Sequence, residues 1–430
     1  MKIRKLFAAI LIAVLGMANV VAQDWPQFLG PYRNSKSDEK GILRTWPASG
    51  PEVVWTVNVG PGFGGPAIKA GKVYLLDRDD EVGETLRCFD LNTGKELWKY
   101  SYSAPGSVMF PGSRYVPTVD GNYVYSCGHN GDLYCIDINT RKPVWNKNIW
   151  TDYGGTKLPT WAISQCPLVY GDIVLVASQA PQAGVVAYNK LTGAVKWKTP
   201  AIGAAGYVSP AIVKISGEDH IVMVTASQRG GEMGKIAGIK PQDGKILWEY
   251  KDWNCHIPVA SAVDAGQNRI LVAGGYELGT VMIKVDRKVD GTFGVTELFK
   301  HNNFGEHTKP PILHNGYFYG QFSTNSKRDG LVCMDMNGNI KWKTMRSPLF
   351  DKGSMILVDG VIVATDGANS LYIIEPSPDS YKQLASAKLL NVAEGADARF
   401  ATQNWAPIAL SEGKLLIRDQ GQMKCVKITR

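Results

Sequence analysis

Along the chain, short runs of β-branched, aliphatic and aromatic residues alternate with tight polar turns, many built on glycine. Two pieces recur. The first is a Pro, a few residues, a Gly and then an apolar run, as in PAIKAGKVYLL from Pro66, PTVDGNYVYSC from Pro117, PLVYGDIVLVA from Pro167, PPILHNGYFYG from Pro310 and PIALSEGKLLI from Pro407. The second is a polar turn leading into an aromatic residue: LNTGKELW ending at Trp98, INTRKPVW at Trp145, KLTGAVKW at Trp197, PQDGKILW at Trp248, a weaker copy at Phe299, and DMNGNIKW at Trp342. The intervals are 47, 52, 51, 51 and 43 residues. Each unit reads as four short strands, A to D, at the period of propeller blades.

Eight A-strand pieces begin near residues 66, 117, 167, 210, 259, 311, 354 and 407. The last unit has B and C strands but no D strand, whereas the strand around Trp55 is a D strand with no blade before it. The pattern predicts an all-β fold: an eight-bladed β-propeller with four-stranded blades, its ring closed by an N-terminal strand so that no sheet edge is left incomplete.

Cys88, Cys135, Cys333 and Cys425 fall at one repeat-equivalent position of strand C, where other blades carry Ala187 and Gly238. A position that accepts Cys, Ala or Gly selects small size, so these thiols read as small core residues without a disulfide or metal role. Lys284 occupies the same slot in its own blade, or else marks a register shift there. The tryptophans closing the D strands read as wedges between blades, and Trp197→Ala is expected to cost about 3–5 kcal/mol.

Composition changes this picture little. The 430 residues are 44% hydrophobic and 20% charged, which excludes wholesale disorder. Lys2, Arg4 and Lys5, an apolar run from Leu6 to Leu15 and small residues up to Ala22 form the pattern of a cleaved secretory signal. No Cys follows that could be acylated. The expected organisation is a signal peptide at 1–22, an N-terminal extension at 23–51 and the propeller at 52–430, in the periplasm or outside the cell, with no membrane span after cleavage. Setting Lys2, Arg4 and Lys5 aside from the 47 Lys and Arg leaves 44 against 39 Asp and Glu. An excess of five, spread without blocks, gives no footprint for nucleic acid.

The repeat from Asp90 to Trp98, and its copy from Asn189 to Trp197, resembles that of the PQQ-type propellers. These include eight-bladed quinoprotein alcohol dehydrogenases and the non-catalytic propeller of outer-membrane protein assembly, BamB. The leader at residues 25–51 is similar to segments preceding secreted bacterial propellers of this superfamily. The resemblance implies three functions: a quinone-dependent alcohol or sugar dehydrogenase using PQQ with Ca²⁺, a protein-interaction scaffold with an envelope partner, or a binder that uses the fold for another ligand. The dehydrogenase site carries over poorly, because the chain has neither adjacent cysteines nor a Cys-x-x-Cys-His haem motif. No cofactor is therefore expected with any firm basis, and PQQ with Ca²⁺ is disfavoured.

Chain direction separates the two faces of a propeller. A–B and C–D turns lie at one end and are tight here; B–C and D–A connections lie at the other and are long. Function tends to sit on such loops held by a rigid scaffold. The D–A segments carry Phe63, Arg114, Tyr115, Trp161, Gln165, Tyr207, His256, Glu306, His307, Lys309, Lys352, Arg399, Gln403, Asn404 and Trp405. Pseudo-symmetry brings them to one channel mouth, where aromatic platforms among cations and amides suit a polar, carbohydrate-like or anionic small ligand. His256, His307 and Glu306 are the candidates for acid–base chemistry. The six histidines show no metal-binding spacing, so no metal is expected, and no nucleophile motif is present. Whether the protein turns over a substrate stays open at this level.

Overall fold

The computed structural model describes residues 23–107, 109–228, 230–276, 278–323, 328–392 and 403–430. The expected signal segment and Arg399 lie outside them. The described chain forms eight antiparallel sheets, an eight-bladed β-propeller. The first blade is Ala67–Lys69, Lys72–Asp79, Gly83–Asp90 and Glu96–Ser103. The eighth takes Ala409–Ser411, Lys414–Arg418 and Gln422–Lys427 from the C-terminus and its fourth strand, Val53–Asn58, from the N-terminus, with Trp55 opposite Cys425. Ring closure is thus as the orphan strand implied. The seventh blade gains a fifth strand, Lys36–Ser37, which pairs in parallel with Leu357 and Val358.

The repeat motif has a local cause. The Asp90 carboxylate accepts the N–H groups of Asn92 (3.0 Å) and Thr93 (2.8 Å), fixing the C–D turn. Gly94 follows at φ +71°, and a Cβ there would lie 2.8 Å from the ring of Trp55 in the preceding blade. The Trp55 indole N–H in turn donates to Leu91 O at 2.8 Å. Trp145 repeats this toward Lys190 O (3.1 Å) and Trp197 toward Pro241 O (3.0 Å). Trp55, Trp145 and Trp197 are therefore both wedges and hydrogen-bonded straps to the next blade, with the turn glycine making room for the ring, whereas the Trp248 indole N–H donates to His220 Nδ1 of its own blade at 2.9 Å.

The small-residue slot also has a cause: Cys88, Cys135, Ala187, Gly238, Cys333 and Cys425 each lie directly opposite the D-strand tryptophan of their own blade. At Gly238 a Cβ would come within 2.0 Å of the Trp248 indole. All seven cysteines are free and buried.

Two expectations need correction, and of the two alternatives for Lys284 the register shift is the one found. Lys284 is not in the slot: Met282 faces Phe299 there, and Lys284 lies partly exposed, paired with Asp286 at 2.8 Å. The bulge after the slot, here between Met282 and Ile283, recurs in the other blades; what differs is a longer C–D hairpin, whose pairing runs on to Arg287 opposite Phe293. The fifth A strand starts at Val263, four residues later than its Pro suggested, because the intervening segment runs along the central cavity. Trp197 and Trp342 are half-buried, so their contribution is smaller than that of the buried Trp55, Trp98, Trp145 and Trp248.

The leader packs on the face of the A–B turns. Trp25 exchanges two backbone hydrogen bonds with Ile68, Pro26 O accepts Val119 N–H (2.8 Å), and Ser35 O accepts Leu357 N–H (2.8 Å). The Glu39 carboxylate accepts the N–H groups of Glu412 and Gly413, both at 2.8 Å. Among the described residues no helix is long and apolar enough to cross a membrane.

Candidate functional site

All eight D–A segments contribute to one cavity of 630 Å³: Phe63, Arg114, Trp161, Tyr207, Ile257, His307, Lys352 and Trp405 come from successive connections. Residues drawn from every blade can meet only around the ring axis, so the cavity is a cup on that axis, open on the D–A face. Phe28 of the leader also lines it.

Its walls are aromatic in two groups. Phe63, Phe110 and Trp405 pack with centroid separations of 5.2 to 6.0 Å, and across from them Trp161 and Tyr207 meet edge-on at 5.4 Å. Between these groups stand cations. Arg114 spends its guanidinium on the backbone carbonyls of Gly112, Met109 and Phe110, and has no carboxylate within 4.0 Å among the described residues. Burial lowers its pKa, which marks an arginine whose charge is poorly compensated. Lys309 donates to Thr308 Oγ1 (2.9 Å), Lys352 O (3.1 Å) and Trp405 O (2.6 Å), tying three segments together. Lys352 lies 5.0 Å from the centre of the Trp405 ring and 2.6 Å from Asp351. Asp351 is the one carboxylate lining the cup among the described residues, and it also faces Arg328 at 3.9 Å.

Behind this wall Glu306 is buried. Its carboxyl accepts Gln321 N–H (2.6 Å) and His307 N–H (3.2 Å), and burial raises its pKa while depressing that of Lys309. His307 packs on Tyr276 at 4.3 Å, and burial, with Lys352 and Lys309 adding to it, pushes its imidazole down to about 3. It is neutral near pH 7, and its buried Nδ1 has no partner among the described residues. Trp161 and Trp405 likewise carry buried indole N–H groups without partners among the described residues.

The structure brings together Arg114, Trp161, Tyr207, His307, Lys309, Gln403 and Trp405, with Phe63 and Lys352. Of the other described candidates, none lines the cup. Tyr115 is fully buried, and Gln165 accepts Ala177 N–H inside its blade. Asn404 anchors its loop through Gly367 O and Asn391 O. His256 is exposed and bonded to Ser227, away from His307, so the two histidines and Glu306 do not form a shared acid–base or metal group. The D–A position was right for it, but its Nδ1 is bonded to Ser227 in the B–C connection of the fourth blade. Phe28, Phe110, Tyr276, Arg328 and Asp351 were missed. Tyr276 and Arg328 come from B–C connections, which reach the same face; Asp351 was recoverable as the neighbour of Lys352.

The cup is lined by aromatic rings, cations and one carboxylate. Cys166 lines it, but burial pushes its thiol up to about 11, and Ser209 Oγ accepts Cys166 N–H instead of meeting a base. The residues present do not fit a Ca²⁺-bound quinone. Calcium takes about six to eight oxygen ligands, whereas Asp351 is already engaged by Lys352 and Arg328, and the remaining charges lining the cup are cationic. Among the described residues no three His, Cys, Asp or Glu side chains cluster as metal ligands.

The family model PQQ_2, outer membrane protein assembly factor BamB, matches residues 82–344. Among relatives, outer membrane protein assembly factor BamB of Yersinia pestis is 24% identical over 47% of this chain and 48% of its own length. Quinoprotein alcohol dehydrogenase PedH of Pseudomonas putida is 27% identical over 38% of this chain and 27% of its own. The chain thus spans about half or less of these relatives. The structure of a europium-containing methanol dehydrogenase superposes at a TM-score of 0.65 and 14% identity over 93% of this chain and 90% of that one, a likeness of fold. With the family model matching more than half of its length, the chain belongs to the PQQ_2 family of BamB-type propellers.

Proposed function

We propose that the protein is an exported propeller that binds a small anionic, carbohydrate-like ligand of the uronic-acid class in the axial cup. The observation that carries this reading is the imbalance of the lining: four cations, Arg114, Lys309, Lys352 and Arg328, against the single engaged carboxylate of Asp351, between two aromatic walls. A sugar ring packs its apolar face on Trp405 or Trp161 while its carboxylate takes charge-assisted bonds from Lys352, Arg328 and the remaining N–H groups of Arg114, with Lys309, its three donors spent, adding charge alone. Export rests on the signal-like segment before residue 23.

The test is thermal shift with trigalacturonate, the neutral maltotriose and PQQ, since a ligand that binds only the native state raises the melting temperature. Trigalacturonate should stabilise the protein and maltotriose should not. Stabilisation by PQQ alone would move the assignment to quinone binding.

A second reading, a BamB-like scaffold for an envelope protein, is favoured by the family match and by two exposed apolar residues at the cup's face, Met109 and Tyr276, at 64% and 44% exposure. Stabilisation by none of the three compounds, with a stable protein partner recovered on that face, would support it.

A further inference from the structure

Phe28 lies at a boundary. It lines the cup and also a second cavity of 330 Å³ further along the axis, enclosed between the leader and the A strands of blades three to six. Cys166 and Ser209 are shared in the same way and are joined by the 2.8 Å bond from Cys166 N–H to Ser209 Oγ. The partition between the two spaces is therefore built partly from the ring and partly from a segment that belongs to no blade.

The leader's local structure is fitted to deliver that side chain. After Phe28 the backbone turns sharply through Leu29 at φ +62° and Gly30 at φ +79°. Gly30 N–H donates to Gln27 O at 3.0 Å, and the Gly30 α-carbon sits so close under Trp25 that a Cβ would meet its ring at 2.7 Å. A leucine in the left-handed region persists only where its surroundings over-determine it. Here Leu29 is buried, and the hydrogen bonds of the flanking residues reach blades one, two, three, seven and eight.

We infer that the leader is a component of the ligand site, with Phe28 as its floor, so that occupancy of the cup and docking of the leader on the opposite face are thermodynamically linked. The inference rests on the proposed ligand reading for its liganded state and on this geometry for its ligand-free state. A ligand touching Phe28 gains that contact only while the leader is docked, so it stabilises the docked state, and the docked leader raises affinity by the same factor.

Hydrogen exchange on the full chain tests this, with and without trigalacturonate, in wild type, Phe28→Ala and Phe28→Leu. In wild type the probe should slow exchange at Trp25, Leu43 and Val119, whose N–H groups are bonded between leader and ring. Phe28→Ala should bind about tenfold more weakly and lose that protection, with Phe28→Leu keeping most of both. Without probe, Phe28→Ala should speed exchange at the cup segments 161–166 and 206–209, which lie on the other side of the partition. Equal affinity and unchanged leader exchange in a protein that binds the probe would overturn the linkage and leave the ligand reading standing. If wild type does not bind the probe, the ligand reading fails, and the ligand-free comparison alone decides the linkage: unchanged exchange in 161–166 and 206–209 would end it.

Discussion

Trp405 sits where Phe63, Phe110 and the Lys352 ammonium meet. Its backbone carbonyl holds Lys309, but its side chain belongs to the cup and not to an inter-blade core. Trp405→Ala should therefore cost at least about 2 kcal/mol of binding while leaving the unfolding midpoint nearly unchanged, a contrast read by calorimetry and denaturant unfolding on one preparation. Glu84 makes the opposite kind of prediction. It is buried against Arg78, at 3.0 Å, and burial pushes it from an ordinary 4.5 up to about 7. Between those values the folded chain holds a proton that the unfolded chain has released. The protonated group's contribution is full below about 4.5 and lost as pH rises through about 7. Glu84→Gln cannot titrate, so its stability deficit against wild type should shrink from pH 5 to pH 8, by roughly 1–3 kcal/mol. A deficit that grows with pH would refute the assignment. At this scale the sequence showed which residue types reach the mouth but not where each side chain turns: Trp405 and Asn404 are neighbours, yet one faces the cup and the other anchors a loop.

At the scale of the strand and turn, the repeat is a contract between adjacent blades. Gly193, at φ +70°, lies under Trp145, and a Cβ would meet that ring at 2.7 Å. Gly193→Ala should destabilise by more than the ordinary cost of about 1 kcal/mol for an unfavourable backbone conformation. Trp145→Ala should cost about 3–5 kcal/mol through its cavity. Removing the ring also removes the clash, so the double variant should be more stable than the sum of the two losses implies, which a double-mutant cycle on unfolding free energies checks. Strict additivity would mean that the glycine is there only for its φ. This contract is why blade count, strand order and the small-residue slot were legible: each repeat shows one side of a packing constraint. Legibility failed where the constraint was relaxed. In the fifth blade Phe299 replaces the tryptophan, the C–D hairpin is longer, and Met282 takes the place that counting gave to Lys284. Phe28 was invisible for another reason, since the leader has no repeat to align.

On the scale of the whole molecule, closure and cup depend on the same termini. Val53–Asn58 covers the C-terminal strand Gln422–Lys427, and the leader just before it crosses the far end of the axis. A chain beginning at residue 59 should lose both, leaving a bare strand edge; it should melt lower and self-associate, as scanning calorimetry and sedimentation would show. A monomer with wild-type melting behaviour would contradict the role given to closure. The orphan D strand made closure readable in advance, whereas the charge balance of the cup emerged only once eight distant segments were brought around one axis. That balance is the central claim, and calorimetric titration of trigalacturonate beside maltotriose, at low and high salt, tests it most directly. The account predicts saturable binding of the anionic sugar at one site, weakened by salt and absent in Trp405→Ala, with no heat from the neutral one; equal binding of both sugars, or binding of trigalacturonate that Trp405→Ala leaves intact, would contradict it.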